Sequence, residues 1–513
     1  MTETTIGYLL DAFARHASQV AITHARGEWT YGDLLDGVNR MARALSAQGL
    51  QRGDVVALAT GAEPETFILR FAANALGCAT WILYDDLAPS LLVEMLRYVE
   101  PAALVFTPGR VDDRLLAAIG QVPGIMALGL GPHPDAVDLA EQAAAESSGP
   151  ITIQARPEDL SAIRLTGGST GVPKGVPHTC ALPGYYSPGS LQMWKTTTQL
   201  MCTAIGHLGG SLAEVVLAAG GRVVLQQENA FDPGRALAAI ERERVGFVWM
   251  QPAMLHQLLD HPALESTDTS SLRVLMVTGG PTTPERMVQA LNRFGPIVST
   301  GYGTYEIGQI TILSAAELQR PELLTTVGRP VSQVEVCIRG ADDESLDTGS
   351  IGEIWVRGPG LMSGYYKRPD LTATALRDGW FRTGDLGFLD AAGYLSIVGR
   401  SKDTIVGLRE TVYPAQIERV LYRDPRIQQA VVFGITAGAD RDEKIAAAVV
   451  PAALQHLSEE DVAVTVRAEM GAAYAPEVVL ILAEMPTVGS NKPDRTALRR
   501  LAVERFDNQA PAP

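Results

Sequence analysis

Only four cysteines occur in 513 residues, at positions 78, 180, 202 and 337, and none forms a C-x-x-C pair. That scatter excludes a disulfide framework and reads as reduced thiols in a cytoplasm. Positive charge is scarce as well: 42 Lys and Arg stand against 58 Asp and Glu, a formal net charge of −16. With no basic excess, counterion release cannot drive non-specific nucleic-acid binding, so any polyanion must meet cations gathered in one place. No apolar run reaches the ~18 residues of a membrane span. The acidic opening "MTETTIGYLL" is no signal peptide. Internal repeats and low-complexity tracts are missing too. What remains is a soluble intracellular chain without nucleic-acid or membrane partners.

Composition is otherwise ordinary, 46% apolar and 19% charged, enough for a sizeable core. A prior of about 150 residues per domain suggests roughly three units, or two with one large. Leu34, Leu35, Val38, Met41 and Leu45 share one helical face, stopped by Gly49. "DVVALAT", "ATWILY", "AALVFT" and "IMALGL" are short apolar strands separated by helical stretches. Such interleaving predicts parallel sheets covered on both faces. After about residue 325 the pattern alternates apolar and polar with turn-rich centres, which is antiparallel hairpin chemistry. From Thr404 a smaller unit follows, with helices at 414–422 and 458–470 and strands "QQAVVFGI", "KIAAAVV" and "EVVLILA". The tail after Arg505, polar and Pro-ended, is expected to be disordered. The fold class expected is α/β. A large N-terminal domain (1–401) carries parallel-rich sheets packed by helices plus a small β-region, and a small mobile α+β C-terminal domain spans 402–513.

The stretch "RLTGGSTGVPKGVPHT" (164–179) places glycines, hydroxyls and one lysine behind a strand. Gly167, Gly168 and Gly171 let backbone N–H groups approach an anion closely, while Thr166, Ser169, Thr170 and Lys174 add polar contacts; phosphate oxygens are held this way. It is not a Walker A loop, since Lys174 follows Pro173 and precedes Gly175. A surface turn with a solvated lysine is the ordinary alternative.

This loop, as "LTGGSTGVPKGV", resembles the phosphate-binding loop of the adenylate-forming superfamily: acyl- and aryl-CoA ligases, adenylation domains of peptide synthetases, and luciferases. Five further stretches follow in that superfamily's order: "WTYGDL" (29–34), "YGTYE" (302–306), "WFRTGDLG" (380–387), "GRSKD" (399–403) and "GSNKPDR" (489–495). The resemblance implies that a carboxylate and ATP give an acyl- or aryl-adenylate and pyrophosphate. Transfer to CoA or to a phosphopantetheinyl carrier protein follows. It also implies roles. Ser169, Thr170 and Lys174 would hold the β,γ-phosphates and Glu306 would bind Mg²⁺, a hard cation suited to oxygen ligands. Tyr302 would stack on adenine, with Gly279, Gly280 and Pro281 opposite, while Asp385 and Arg400 place the ribose. Lys402 would be the hinge, and Lys492 would bridge the attacking carboxylate and the α-phosphate. His207 matches the acyl-pocket histidine, and the pocket would draw on His207, Gly209, Gly210, Thr278 and Gly303. Taken singly, each residue has a plainer role: Asp385 as a turn carboxylate, Glu306 as a helix-start acid, Lys492 as solvated loop charge. The resemblance leaves a homodimer open.

Three positions depart from the superfamily's pattern. Tyr305 stands where a Thr usually precedes the metal-binding Glu, and Thr304 is a substitute one position earlier. Leu408 and Arg409 replace glycines that line the CoA tunnel. "AIGHLGGS" has no Asp to hold an α-ammonium, which disfavours α-amino acids. The departures touch the second half-reaction more than the first. Alternatives are therefore an amide-forming or nitrite-activating ligase with a non-thiol acceptor, or a nucleotide-binding relative with impaired catalysis.

Overall fold

The computed structural model describes residues 3–83, 89–110, 113–166, 174–183, 186–226, 231–280, 282–406, 411–437, 443–452, 455–488 and 492–509. It divides into two compact units. One comprises 1–280, 290–299 and 362–372; the other comprises 281–289, 300–361 and 373–513.

In the first unit, seven strands lie in the order Val137–Asp138, Met126–Gly129, Ala103–Phe106, Val55–Ala59, Ala79–Ile82, Leu160–Thr166 and Lys174–Thr179. Neighbours run parallel except the last two, which form a hairpin. The wholly buried "VVALA" shows how both faces are covered. Val56 and Leu58 enter a core with Leu34, Val38, Met41 and Leu45 of the helix Tyr31–Ala47. Val55, Ala57 and Ala59 enter another with Leu92, Leu96 and Val99 of the helix Pro89–Val99. Side chains two apart share a face, so one strand feeds two cores.

A second group in the same unit orders as Val274–Val277, Phe247–Met250, Thr198–Met201, Arg222–Leu225 and Val20–His24, all parallel, edged by Gly27–Thr30. The motif "WTYGDL" proves to be structural. Thr30 and Asp33 form a capping box at the start of Tyr31–Ala47, with the Thr30 N–H donating to Asp33 at 2.8 Å and the Asp33 N–H to Thr30 at 3.1 Å. The buried Tyr31 hydroxyl donates to the carbonyl of Gly221 at 2.6 Å.

The second unit contains the expected hairpins. Glu335–Arg339 pairs with Gly352–Arg357, and the latter with Trp380–Leu389, all antiparallel. Its C-terminal part sets Ile427–Thr436 antiparallel to Glu443–Pro451, which runs parallel to Val478–Ile481. Ala447 and Val449 face the helices Pro414–Leu421 and Glu459–Met470, while Ala446, Ala448 and Val450 face Leu498 and Ala502 of the helix Arg495–Gln509. One expectation fails in part here: after Arg505 the chain continues this helix to Gln509, and residues 510–513 lie outside the described residues. The reason is packing, since Phe506 lies against the second of these cores and near Lys444.

Candidate functional site

Parallel strands bring their C-terminal ends to one edge, where ligands of α/β sheets bind. Beyond two such ends in the first unit come His207, after Thr198–Met201, and Thr278-Gly279-Gly280, after Val274–Val277. His207 is the N-cap of the helix Leu208–Ala218, and its side chain makes no capping bond. Gly209 and Gly210 allow that helix to approach. A β-carbon on Gly209 would lie 2.6 Å from Thr203 Oγ1, and one on Gly210 would lie 2.0 Å from the Ile205 carbonyl oxygen. Thr278 is buried and its hydroxyl accepts from Trp249 Nε1 at 2.7 Å. Gly279 has a φ of 94°, the left-handed region that glycine tolerates. Pro281 lies outside the described residues.

The strands on either side of the glycine-rich stretch pair antiparallel. Thr166 and Lys174 face each other as the last cross-strand pair, and Gly167, Gly168, Ser169, Thr170 and Gly171 lie outside the described residues. The Lys174 ammonium sits 5.1 Å from the centre of the Tyr365 ring, a cation–π contact. The next residue is held twice: the Gly175 N–H donates to the Tyr98 hydroxyl at 3.2 Å, and its carbonyl accepts from the Tyr366 N–H at 2.8 Å. Tyr98, Tyr365 and Tyr366 escaped the sequence reading. They lie far from the loop in the chain, and only the fold joins them.

In the second unit a tight polar cluster forms. Asp385 sits within the strand Trp380–Leu389, directly across from Arg400 of Leu395–Arg400. It is buried, so it is not a turn carboxylate. Its Oδ1 lies 3.0 Å from Arg400 Nε, and its Oδ2 accepts from the Tyr302 hydroxyl. Tyr302 belongs to the strand Val298–Thr304, and burial, then the Asp385 charge, push its phenol well above the usual range. Burial works against charge on Arg400. Asp385, Tyr302, Asp403 and Glu306 outweigh it, so the guanidinium is held above its ordinary value. A permanently charged group thus stands among three carboxylates and a phenol.

Glu306 is buried in the turn between Val298–Thr304 and Gly308–Leu313, which excludes the helix-start role. Gly308, with a φ of 84°, closes that turn, and a β-carbon on Gly303 would lie 2.5 Å from its carbonyl oxygen. Thr304 Oγ1 is buried with no hydrogen-bond partner among the described residues, an open valence beside Glu306. Among the described residues no three His, Cys, Asp or Glu side chains gather as a metal cage. A buried carboxylate with an unpartnered hydroxyl two positions earlier in the chain fits Mg²⁺, which keeps waters and phosphates as its other ligands.

Lys402 is exposed in the short 3₁₀ turn Ser401–Asp403. Lys492 begins the two-residue strand Lys492–Pro493, paired with Thr487–Val488. Its side chain, like all of Leu408 and Arg409, lies outside the described residues.

Two family models match. AMP-binding enzyme covers residues 9–366, and the AMP-binding enzyme C-terminal domain covers 416–492. Among curated relatives, a medium/long-chain-fatty-acid–CoA ligase of Mycobacterium tuberculosis is 30% identical over 96% of this chain and 89% of its own. A feruloyl-CoA synthase of an Amycolatopsis species is 31% identical over 94% and 95%. The structure of an amide bond synthetase from Marinactinospora thermotolerans is 33% identical, with a TM-score of 0.85 and coverage of 97% of this chain and 99% of that one.

Proposed function

The chain belongs to the AMP-binding enzyme family, and on that premise we propose that it is an ATP-dependent ligase that activates a small carboxylic acid. A carboxylate oxygen attacks the α-phosphorus, the bond to the bridging β-oxygen breaks, and pyrophosphate leaves. The acyl carbon of the adenylate is then attacked by a thiol, of CoA or a carrier protein, and AMP departs. The observation that carries this reading is the Asp385 cluster, in which a buried carboxylate is oriented by Tyr302 and Arg400.

The attacking and attacked groups are both negatively charged, so catalysis is mostly positioning and charge neutralisation. Asp385 accepts from the ribose hydroxyls, and Arg400 fixes it. Tyr302, with Gly279, Gly280 and Pro281, takes the adenine. Thr166, Ser169, Thr170 and Lys174, with the glycines 167, 168 and 171, hold the β,γ-phosphates. Glu306 and Thr304 hold the Mg²⁺ that, when bound, offsets phosphate charge. Lys492 neutralises the α-phosphate and the incoming carboxylate. His207, Gly209, Gly210, Thr278 and Gly303 line the acid pocket, whose low charge favours an uncharged ring or a medium chain. Domains 1–401 and 402–513 turn about Lys402 between the half-reactions. We also propose a cytoplasmic enzyme that assembles as a homodimer.

Carboxylate-dependent pyrophosphate–ATP exchange tests the reading. The parent exchanges label with at least one acid of an aromatic and aliphatic panel. Lys492→Ala loses the activity by about 10²-fold or more. No exchange by the parent with any acid sinks it. A second reading replaces the thiol by an amine. It is favoured by the 33% identity to the amide bond synthetase and by Leu408-Arg409 in place of glycines. Product analysis with CoA and with amines as competing acceptors separates the two.

A further inference from the structure

Arg495 has no role in the assignments above, yet three elements converge on it. It opens the helix Arg495–Gln509, three positions after Lys492. Its Nε lies 3.7 Å from Asp403 Oδ2, and its Nη2 lies 3.6 Å from Glu418 Oε1. Its Nη1 donates to the Val432 carbonyl at 2.7 Å, while the Val432 N–H donates to the same Glu418 oxygen at 2.8 Å. Both backbone groups of one strand residue are therefore engaged by this pair. Asp403 and Glu418 keep only 13% of their side chains exposed. One planar guanidinium thus makes a hydrogen bond and two ion pairs at 3.7 and 3.6 Å, a spread that an ammonium cannot match with the same geometry.

The position of Asp403 gives the cluster its meaning. It ends the turn Ser401–Asp403, directly after Lys402, and its charge also acts on Arg400, which orients Asp385. On its other side, the root of the lysine segment is fixed to Arg495. Lys492–Pro493 pairs with Thr487–Val488, and the Asp494 N–H donates to the Pro486 carbonyl at 2.8 Å. Asp494 Oδ1 then caps the helix, accepting from the N–H groups of Thr496 and Ala497 at 3.0 and 2.9 Å. Burying charged groups costs desolvation, and packed apolar residues would stabilise the same contact at least as well. Charge at this place serves geometry.

We propose that Arg495 is a positioning residue, tying Asp403 beside the hinge to the root of the Lys492 segment so that hinge rotation and lysine placement are one movement. The proposal rests on the adenylation reading. Without the tie, ATP and acid still bind through other residues, but the lysine arrives misplaced, and misplacement by about 1 Å costs about 10²-fold in rate.

The test uses Arg495→Gln, Asp403→Asn, the double variant, and Arg495→Lys. Exchange kcat falls about 10²-fold in Arg495→Gln, with KM for ATP and acid changed less than about twofold. The double variant is no slower than the worse single one, because both remove one contact. Arg495→Lys regains part of the rate. Exchange kcat within about threefold of the parent, or losses that multiply in the double variant, would overturn the tie. So would equal losses in exchange and in transfer from preformed adenylate, accompanied by a lower melting temperature. Hydrogen exchange supplies a readout that needs no activity. The Asp494 amide exchanges about tenfold faster in both single variants, and unchanged protection overturns the proposal. A parent without exchange for any acid defeats the adenylation reading instead, and the amide readout still decides the tie.

Discussion

His178 lies on the strand Lys174–Thr179, and its Nε2 is buried with no hydrogen-bond partner among the described residues. Burial, then the charges of Arg164 and Arg70, hold its pKa down to about 3. Arg70 is itself buried and paired with Glu214, so the surroundings are fixed and cationic. The folded protein keeps this imidazole neutral, whereas the unfolded chain protonates it near pH 6.5. Its contribution to stability is therefore whole above pH 6.5. It falls by about 1.4 kcal/mol per pH unit as the pH drops toward 3. Urea midpoints of the parent and of His178→Gln, measured from pH 7.5 to 4, check this. Their stability difference is constant above pH 6.5 and shifts toward the variant below it. Parallel curves throughout would show that His178 does not titrate in this way. At the same scale, Asp385 could be picked from "RTGDLG", but its alliance with Tyr302 could not, because 83 residues separate them.

Elements explain why the rest was or was not legible. The helix Tyr31–Ala47 was readable because its apolar face repeats every three to four residues and Gly49 stops it, whereas its capping box emerged from the structure. The strand Val55–Ala59, wholly buried, shows no alternation in its composition, and only its neighbours reveal that it feeds two cores. Helix Arg495–Gln509 was missed in the reading, which placed only a tail after Arg505, since polar residues dominate it and the contacts of Phe506 that anchor its end are tertiary. The glycines of Leu208–Ala218 appeared as pocket lining. Their packing role needed the structure, since glycine costs a helix about 1 kcal/mol relative to alanine. Gly210→Ala forces its β-carbon against the Ile205 backbone, which cannot give way as a side chain would. We expect a loss of about 1–3 kcal/mol in urea unfolding. KM for the acid rises more than KM for ATP, because the shift displaces His207. An alanine variant as stable as the parent would mean that the loop moves freely.

For the whole molecule, the turn at Ser401–Asp403 is the proposed joint. Proline fixes φ near −65° and removes a backbone donor, so Lys402→Pro holds one orientation. We expect either exchange or transfer from preformed adenylate to survive near the parental rate and the other to collapse. Equal loss of both half-reactions would place the joint elsewhere. The net charge of −16 belongs to this scale as well. It repels anionic nucleotides at long range, so the cations that receive ATP must act locally, and raised salt should weaken them little if they are sheltered.

Thr166 standing opposite Lys174 decides where an insertion could be absorbed. Because the ladder ends at that rung, residues gained or lost between the two positions leave every rung below undisturbed. The same change one step inside would invert the strand and turn Ile163 and Leu165 out of the core that buries them. Any limit on the length of that connection therefore comes from the phosphates it is proposed to hold, and not from the scaffold beneath.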